Sequence, residues 1–437
     1  MTTAPDEATT TVRVLYPDLH GVARGKDIPI QQFERVADHG LAFCAAVFGT
    51  DLRHTPVVGG EAGYPDFIAF PDRSTLRQLP WQPGVVSCLA DLRPAEEGSA
   101  FPDPRGALRH TCEQVRELGF EPIVGPELEF FLVVRDPEAP NGVRRLVDNL
   151  SMVYTVGPLA DRESLVRRMT EQLEQIGLDV FAVNHEFMNS QYEINLRHSE
   201  ALDAADRAFR LKTAVKDIAA LNGLHATFMG KPFNDQGGSG THLHLSLQRD
   251  GHNVFAAPGA EHGVSDELRW FTAGLIEHAP ALMALLNPTV NAYCRLLPDS
   301  LAPTHANWGF DNRSTFVRIP PERGGSTRVE LRVGDGSANP YLAIAAVLHA
   351  GADGVRRRLE PPAPLSGDAY HAAPELIGAQ LPSTLEQALE ALSDDAVLRD
   401  GLGTEIVETF LAMKGFELQR HREWVSDWQL SEYLHHL

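Results

Sequence analysis

The sequence predicts an α+β protein: a small β-rich N-terminal domain over residues 11–103, then a larger domain over 104–437 with a mainly antiparallel sheet and helices. Three observations predict it. From Thr11 to about Leu92 the text is strand and turn, punctuated by glycine and proline. Pro102-Asp103-Pro104 then marks a boundary. Beyond it, short strand-like segments alternate with helical ones.

The N-terminal strands are read in TVRVLYPDLHGVARGK, LAFCAAVFG and VVSCLADL, and residues 1–10 are expected to be disordered. Asp103 can cap and Pro104 can open a helix whose apolar positions Leu108, Cys112, Val115 and Leu118 keep helical spacing, with Gly119 as its stop. Strands follow in PIVGPELEFFLV, QYEINL, THLHLSLQ, STFVRI and TRVELRV, and helices start near Asp161, Ala201 and Asp266. Asn339 caps a further helix that has Pro340 at its first position. The last fifty residues are helical, opening with a capping box at Ser383-Thr-Leu-Glu386.

With 38 basic and 59 acidic residues, the formal charge of −21 argues against a nucleic-acid or anionic-membrane partner. Small molecules are the expected partners. No apolar run approaches a membrane span, and MTTAPDEATT lacks a basic stretch followed by an apolar one, so a cytoplasmic protein is expected. Cys44, Cys88, Cys112 and Cys294 form no C-x-x-C, which fits scattered thiols in a reducing compartment.

The chemistry is concentrated in dispersed acids, histidines and arginines. Glu127 and Glu129 in GPELEFF, His242 and His244 in GSGTHLHLS, and Glu330 and Arg332 in RVELRV are i, i+2 pairs, which a strand presents on one face. Glu127 and Glu129 stand among apolar residues, where unpaired carboxylates are expensive; two solvent-facing acids on an edge strand are the weaker reading. Glu186 and Glu193 flank a hairpin turn in NHEFMNSQYE, a common arrangement taken alone. For the two histidines, ordinary strand residues and metal ligands weigh evenly. Carboxylates with a histidine suit Mg²⁺ or Mn²⁺ better than a closed zinc cage. Arg295, Arg313, Arg318, Arg328 and Arg332 are dense for so acidic a chain; Arg318 and Arg332 lie in apolar strands, as expected of guanidinium forks kept for carboxylate or phosphate. GVARGKD at 21–27 is not a P-loop, because its spacing is wrong and Asp27 stands where Ser or Thr would hold Mg²⁺.

Together with DLHGVARGK, PDRSTLRQLPW, FMGKPFNDQGG, NPTVNAYCRLLP, NRSTFVRIP and GDGSANPYLA, these segments make the chain resemble glutamine synthetase over nearly its whole length, from about Asp18 to Tyr433. The resemblance implies a β-grasp-like N-terminal domain and hexameric rings, paired as a dodecamer, with active sites between neighbouring subunits. It implies two or more Mg²⁺ or Mn²⁺ ions per site, one held by Glu129, Glu186 and Glu193, the other by Glu127, His242 and Glu330. His244, Ser246, Arg318 and Arg328 would face ATP. Gly238, Arg295 and Arg332 would hold glutamate, and Arg313 and Arg318 would steady the transferring phosphoryl group. Asp51, in FGTDLR, would reach across a subunit interface and take a proton from the incoming amine; a turn-forming Asp is the alternative. The implied chemistry is ATP-dependent: phosphorylation of the γ-carboxylate, then attack of an amine on γ-glutamyl phosphate.

The chain departs from ammonia-using relatives in their flap pattern P-G-[YF]-E-A-P, reading Pro298-Asp-Ser-Leu-Ala-Pro303, so Leu301 replaces the acid. Gly237 replaces an asparagine often found before the GSG, and the adenylylation tyrosine segment is not recognised. These departures fit the branch that ligates glutamate to organic amines in catabolism of ethanolamine, other monoamines or polyamines. Near Leu301 only Asp299 is acidic, beside Ser300, His305, Asn307 and Trp308, a mix suited to a short neutral substituent such as that of ethanolamine. The rivals are an authentic glutamine synthetase, a γ-glutamylpolyamine synthetase and a non-catalytic family member; intact ligand residues weigh against the last.

Overall fold

The computed structural model describes residues 7–95, 101–139, 142–146, 152–161 and 163–437. Of the residues expected to be disordered, 1–6 lie outside the described ones, Thr9 is buried, and Thr10 donates its amide to Gly84.

The first sheet takes its six strands from the N-terminal region. Thr11–Pro17 is flanked by Ala23–Pro29, antiparallel, and Val85–Pro94, parallel; Asp66–Pro71 and Leu41–Cys44 extend the sheet beyond Val85–Pro94. Val12, Val14 and Tyr16 alternate inward, and Tyr16 meets Phe67 edge-on at 5.3 Å between centroids. LAFCAAVFG divides into the strand Leu41–Cys44 and a 3₁₀ turn, Ala45–Gly49. The strand Asp66–Pro71 and the short helix Phe33–His39 are additions to the expected pattern.

The helix Pro104–Glu117 opens as expected: the Asp103 carboxylate accepts from the Arg105 amide at 3.0 Å, and Gly119 ends it at φ +84°. Arg105, almost fully buried, bridges Asp72 (3.0 Å), Asp91 and Asp206 (2.8 Å). It thereby fastens the first sheet to the helix Ala201–Leu221.

The second sheet runs in the order Trp308–Phe310, Val317–Ile319, Val329–Leu331, Thr241–Arg249, Glu121–Arg135, Gln191–Leu196, Val180–His185, with shorter strands pairing off this path. Only its first pair is parallel along that path. The helices Leu165–Gln175 and Ala201–Leu221 share a core with Leu128, Phe130 and Ile194 of this sheet. The first of them begins four residues after Asp161. Behind the sheet, Pro340–Arg357 is buried along nearly its whole length and capped by Asn339. A Cβ at Gly354 would meet the Trp270 carbonyl at 2.1 Å, so the close approach of Asp266–Glu277 requires glycine there. In the C-terminal region the cap falls one residue later than expected: Thr384, not Ser383, receives the Gln387 amide, while Ser383 turns to the Gln387 side chain.

Candidate active site

Five neighbouring strands of the second sheet set the candidate side chains in one line across one face. Glu193 stands opposite Glu129, and Glu127 opposite His242. His244 stands opposite Glu330, which in turn stands opposite Arg318. Directly opposed residues share a face, and so do i, i+2 residues, which makes the line continuous. Leu243, Leu245 and Leu247 are buried behind it while His242, His244 and Ser246 point the other way. Glu186 follows its strand directly, and the turn brings it back because its amide donates to the Gln191 carbonyl at 2.9 Å.

The two ends of the line differ in charge. Glu129 accepts from the Gln191 side chain (2.9 Å) and the Gly240 amide (2.8 Å), and Glu186 accepts from Asn184 (2.7 Å). These donors are neutral. Burial, then the Glu129 charge, pushes the Glu186 carboxyl up to about 7. Burial, then Glu127, Glu129 and Glu186, pushes Glu193 up to about 9. At the other end, burial opposes ionisation of Glu330 but Arg332, the two histidines and Arg318 outweigh it, bringing its carboxyl down to about 2. Arg318 reaches Glu330 at 2.6 Å and also Asp311 at 2.6 Å, and Arg332 pairs with Glu330 from the same strand side.

Glu127 joins the ends. Its carboxylate lies 3.2 Å from His242 Nδ1 and 2.9 Å from His244 Nε2, and the two imidazoles hold it well below the usual range against the effect of burial. The ligand atoms of Glu127, Glu193 and His242 lie within 4.8 Å of one another, as do those of Glu127, His244 and Glu330. The grouping expected from the resemblance put His242 with Glu330. By register His244 is the cross-strand partner of Glu330 and His242 that of Glu127. His244 accordingly touches the acids as well as Arg328, whose Nε donates to its Nδ1 at 3.0 Å. A hard divalent cation fits this oxygen-rich donor set, in which the donors to Glu129 and Glu186 are neutral while Glu330 is held by Arg318 and Arg332.

Arg295 is almost fully buried; it donates to the Gly334 carbonyl at 2.7 Å, and its Nε has no hydrogen-bond partner among the described residues. A Cβ on Gly238 would sit 2.5 Å from Arg295 Cγ, so glycine permits this loop to lie against the arginine. Arg332 Nε donates to the Arg313 carbonyl at 3.0 Å, while the Arg313 side chain is exposed. Leu301 is 48% exposed at φ +57°, in the turn after Arg295. Asp51 stands apart from this line within the chain: buried, it accepts from the Arg53 and Thr55 amides at 2.8 Å and pairs with Arg420 at 3.1 Å. Its two amide contacts hold a turn.

Several contributors escaped the sequence reading. Gln191 and Asn184 hold Glu129 and Glu186, and both sit inside NHEFMNSQYE, where polar residues among apolar ones were a usable signal. No motif marks Tyr370, whose hydroxyl donates to the Ala302 carbonyl at 3.0 Å, or Asp368 and His371, which lie with Asp299 so that their ligand atoms fall within 4.8 Å. The segment 365–380 is laid along residues 302–314 by bonds such as Asn312 to the Gly367 carbonyl (2.7 Å) and Asn307 to the Ile377 carbonyl (2.8 Å).

Residues 101–433 match the family described as glutamine synthetase, catalytic domain. The chain is 37% identical to glutamine synthetase of Thermus thermophilus over 97% of its own length and 95% of that protein's. It is 36% identical to glutamine synthetase of Thermotoga maritima, over 98% of its own length and 97% of the relative's. Among solved structures, GmaS without ligand superposes with a TM-score of 0.85 at 34% identity, covering 98% of this chain and 97% of that one. A GmaS/ADP complex superposes with a TM-score of 0.88 at 33% identity, covering 99% and 100%. Among the described residues, no helix is long and apolar enough to cross a membrane.

Proposed function

The chain belongs to the glutamine synthetase family of ATP-dependent carbon–nitrogen ligases, and from that premise we propose that it joins the γ-carboxylate of glutamate to a small primary amine, with ethanolamine the best single candidate. The observation that carries this reading is Leu301, an exposed apolar side chain at the position where the ammonia-using pattern has an acid. An ammonium ion needs a carboxylate at close range, and an apolar surface there favours a substituted amine.

In this reading Glu129, Glu186 and Glu193 would hold one Mg²⁺ or Mn²⁺, and Glu127, His242 and Glu330 another. The cations supply charge neutralisation for the transferring phosphoryl group. His244, Ser246 and Arg328 face ATP. Arg313 and Arg318 stabilise charge developing on the phosphoryl oxygens, and Arg318 makes this possible by exchanging its contact with Asp311. Arg295, Arg332 and the Gly238 loop orient glutamate. The amine must lose a proton to attack, and Asp51 of a neighbouring protomer is assigned that role. Assembly is proposed as two hexameric rings. The exposed Trp424, Trp428 and Leu434 near the C-terminus supply apolar surface for such contacts.

One observation favours a second reading. Asp299, Asp368 and His371 converge beside the loop that carries Leu301, and two acids there suit the remote cation of a diamine. Phosphate release with ATP, glutamate and ammonium, ethylamine, ethanolamine or putrescine decides among these. Ethanolamine is expected to give the highest kcat/KM. Ammonium best would identify a glutamine synthetase, and putrescine best a polyamine ligase.

A further inference from the structure

Away from the catalytic line, two cavities of about 310 Å³ each share the walls Gly21, Val22, Lys212 and Lys216. They lie where the first sheet, the helix Ala201–Leu221 and the start of Pro340–Arg357 meet. In a chain of net charge −21 their lining is basic. Arg210 faces the first cavity, Lys212 and Lys216 face both, and Asp217 is the single acidic side chain among the lining residues of either. Two other lining cations already have partners: Arg13 is held by Asp27 at 2.8 Å, and Lys414 by Glu417 at 2.9 Å.

Arg210, Lys212 and Lys216 are different. Among the described residues none of them forms an ion pair. Arg210 donates to Ser87 (3.2 Å) and to the Thr75 carbonyl, and Lys212 donates to the Ala338 carbonyl at 2.8 Å. Lys212 and Lys216 are one helical turn apart on one face and both stand over the Phe228 ring, at 5.6 and 5.7 Å. Like charges at this spacing repel, and Lys212 is buried with Asp335 near it but not paired to it, which leaves its charge costly. Burial, followed by the Lys216 charge, pulls the Lys212 amine down to about 7, so a bound anion would restore its proton.

We propose that these adjoining cavities bind a small oxyanion, the phosphate or carboxylate group of a metabolite, between Lys212 and Lys216 with Arg210 behind them. The volume matches the lower end of small-ligand pockets, and the donors are the cationic N–H groups that oxyanions prefer.

The test uses the full-length protein in a phosphate-free buffer, with lysine acylation by an N-hydroxysuccinimide ester followed by mass spectrometry. Inorganic phosphate and succinate are compared with chloride at equal ionic strength. Phosphate or succinate is expected to slow acylation of Lys216 and Lys212 while chloride does not, and which of the two protects identifies the anion class. In Lys216→Gln, whose exposed side chain makes misfolding a minor concern, the concentration giving half-protection of Lys212 should rise roughly tenfold. Equal protection by chloride, absence of protection, or unchanged protection of Lys212 in Lys216→Gln would each overturn the proposal.

Discussion

The two ends of the candidate site's line of side chains are built around the same residue type and solve opposite electrostatic problems. At one end Glu129, Glu186 and Glu193 crowd together with neutral donors, and two of the three carboxyls are pushed far above their ordinary range. At the other, Glu330 is more deeply buried but is held by Arg318 and Arg332 and stays ionised down to about 2. A buried acid therefore does not by itself announce a metal ligand. Its partners do: the first end can offset its charge only with protons or an added cation, whereas the second is already neutralised by arginines.

The largest expected effect follows from removing one acid at each end. Glu193→Ala and Glu330→Ala should each lower turnover by roughly two orders of magnitude or more, since both remove charge that would offset a cation. Their stabilities should diverge. In EDTA, Glu330→Ala leaves Arg332 without its acid and Arg318 with Asp311 alone, and should cost about 3 kcal/mol. Glu193→Ala relieves repulsion and should melt no lower than the parent at pH 8. If both variants lose the same stability, the contrast between the ends is wrong.

A smaller effect sharpens the same contrast through pH. The carboxyls of Glu186 and Glu193 are raised from 4.5 to about 7 and about 9 in the folded chain. The folded state thus binds more protons than the unfolded one between about pH 4.5 and 9, and metal-free stability falls as pH rises through that window. A divalent cation displaces those protons. The Mg²⁺-induced rise in melting temperature should therefore be larger at pH 8.5 than at pH 6.5, and Glu193→Gln should flatten the dependence. A shift independent of pH in the parent would remove the carboxylate end as the metal site.

The physics of what was legible divides along the same line. Alternation in GPELEFF, THLHLSLQ and RVELRV was enough to place Glu127, Glu129, His242, His244 and Glu330 on strand faces, because a strand's period is fixed by its backbone. The cap at Asp103-Pro104 was legible for a similarly local reason. Partner choice was not, because it depends on register between strands distant in sequence: nothing near His244 says that Glu330 lies opposite it. Tyr370 and Asp368 were invisible because the segment 365–380 carries no periodicity and is placed by isolated hydrogen bonds to residues 302–314. Thr384 shows the limit of local rules, since either of two adjacent hydroxyl residues can cap and packing of the following apolar face selects one.

Asp51 offers the smallest and most discriminating test, because it resembles Glu330 in burial but lies away from the line. Its carboxyl is opposed by burial and then lowered by the Thr55 and Arg53 amides and by Arg420, so it stays ionised. Asp51→Asn keeps the shape and hydrogen-bonding oxygen while removing the charge that faces Arg420. Melting temperature should fall by roughly a few degrees for loss of that contact alone. The role assigned across a subunit interface predicts more: amine-dependent turnover should drop while glutamate-dependent ADP release without amine is retained, and raising the pH should recover part of the loss by supplying more neutral amine. Turnover that keeps the parent's pH profile in the variant would leave Asp51 with its turn and its arginine and nothing else. The proton would then have to be taken from the amine by another acid, with Glu61 and Asp66, exposed in the same N-terminal region, the next to be changed.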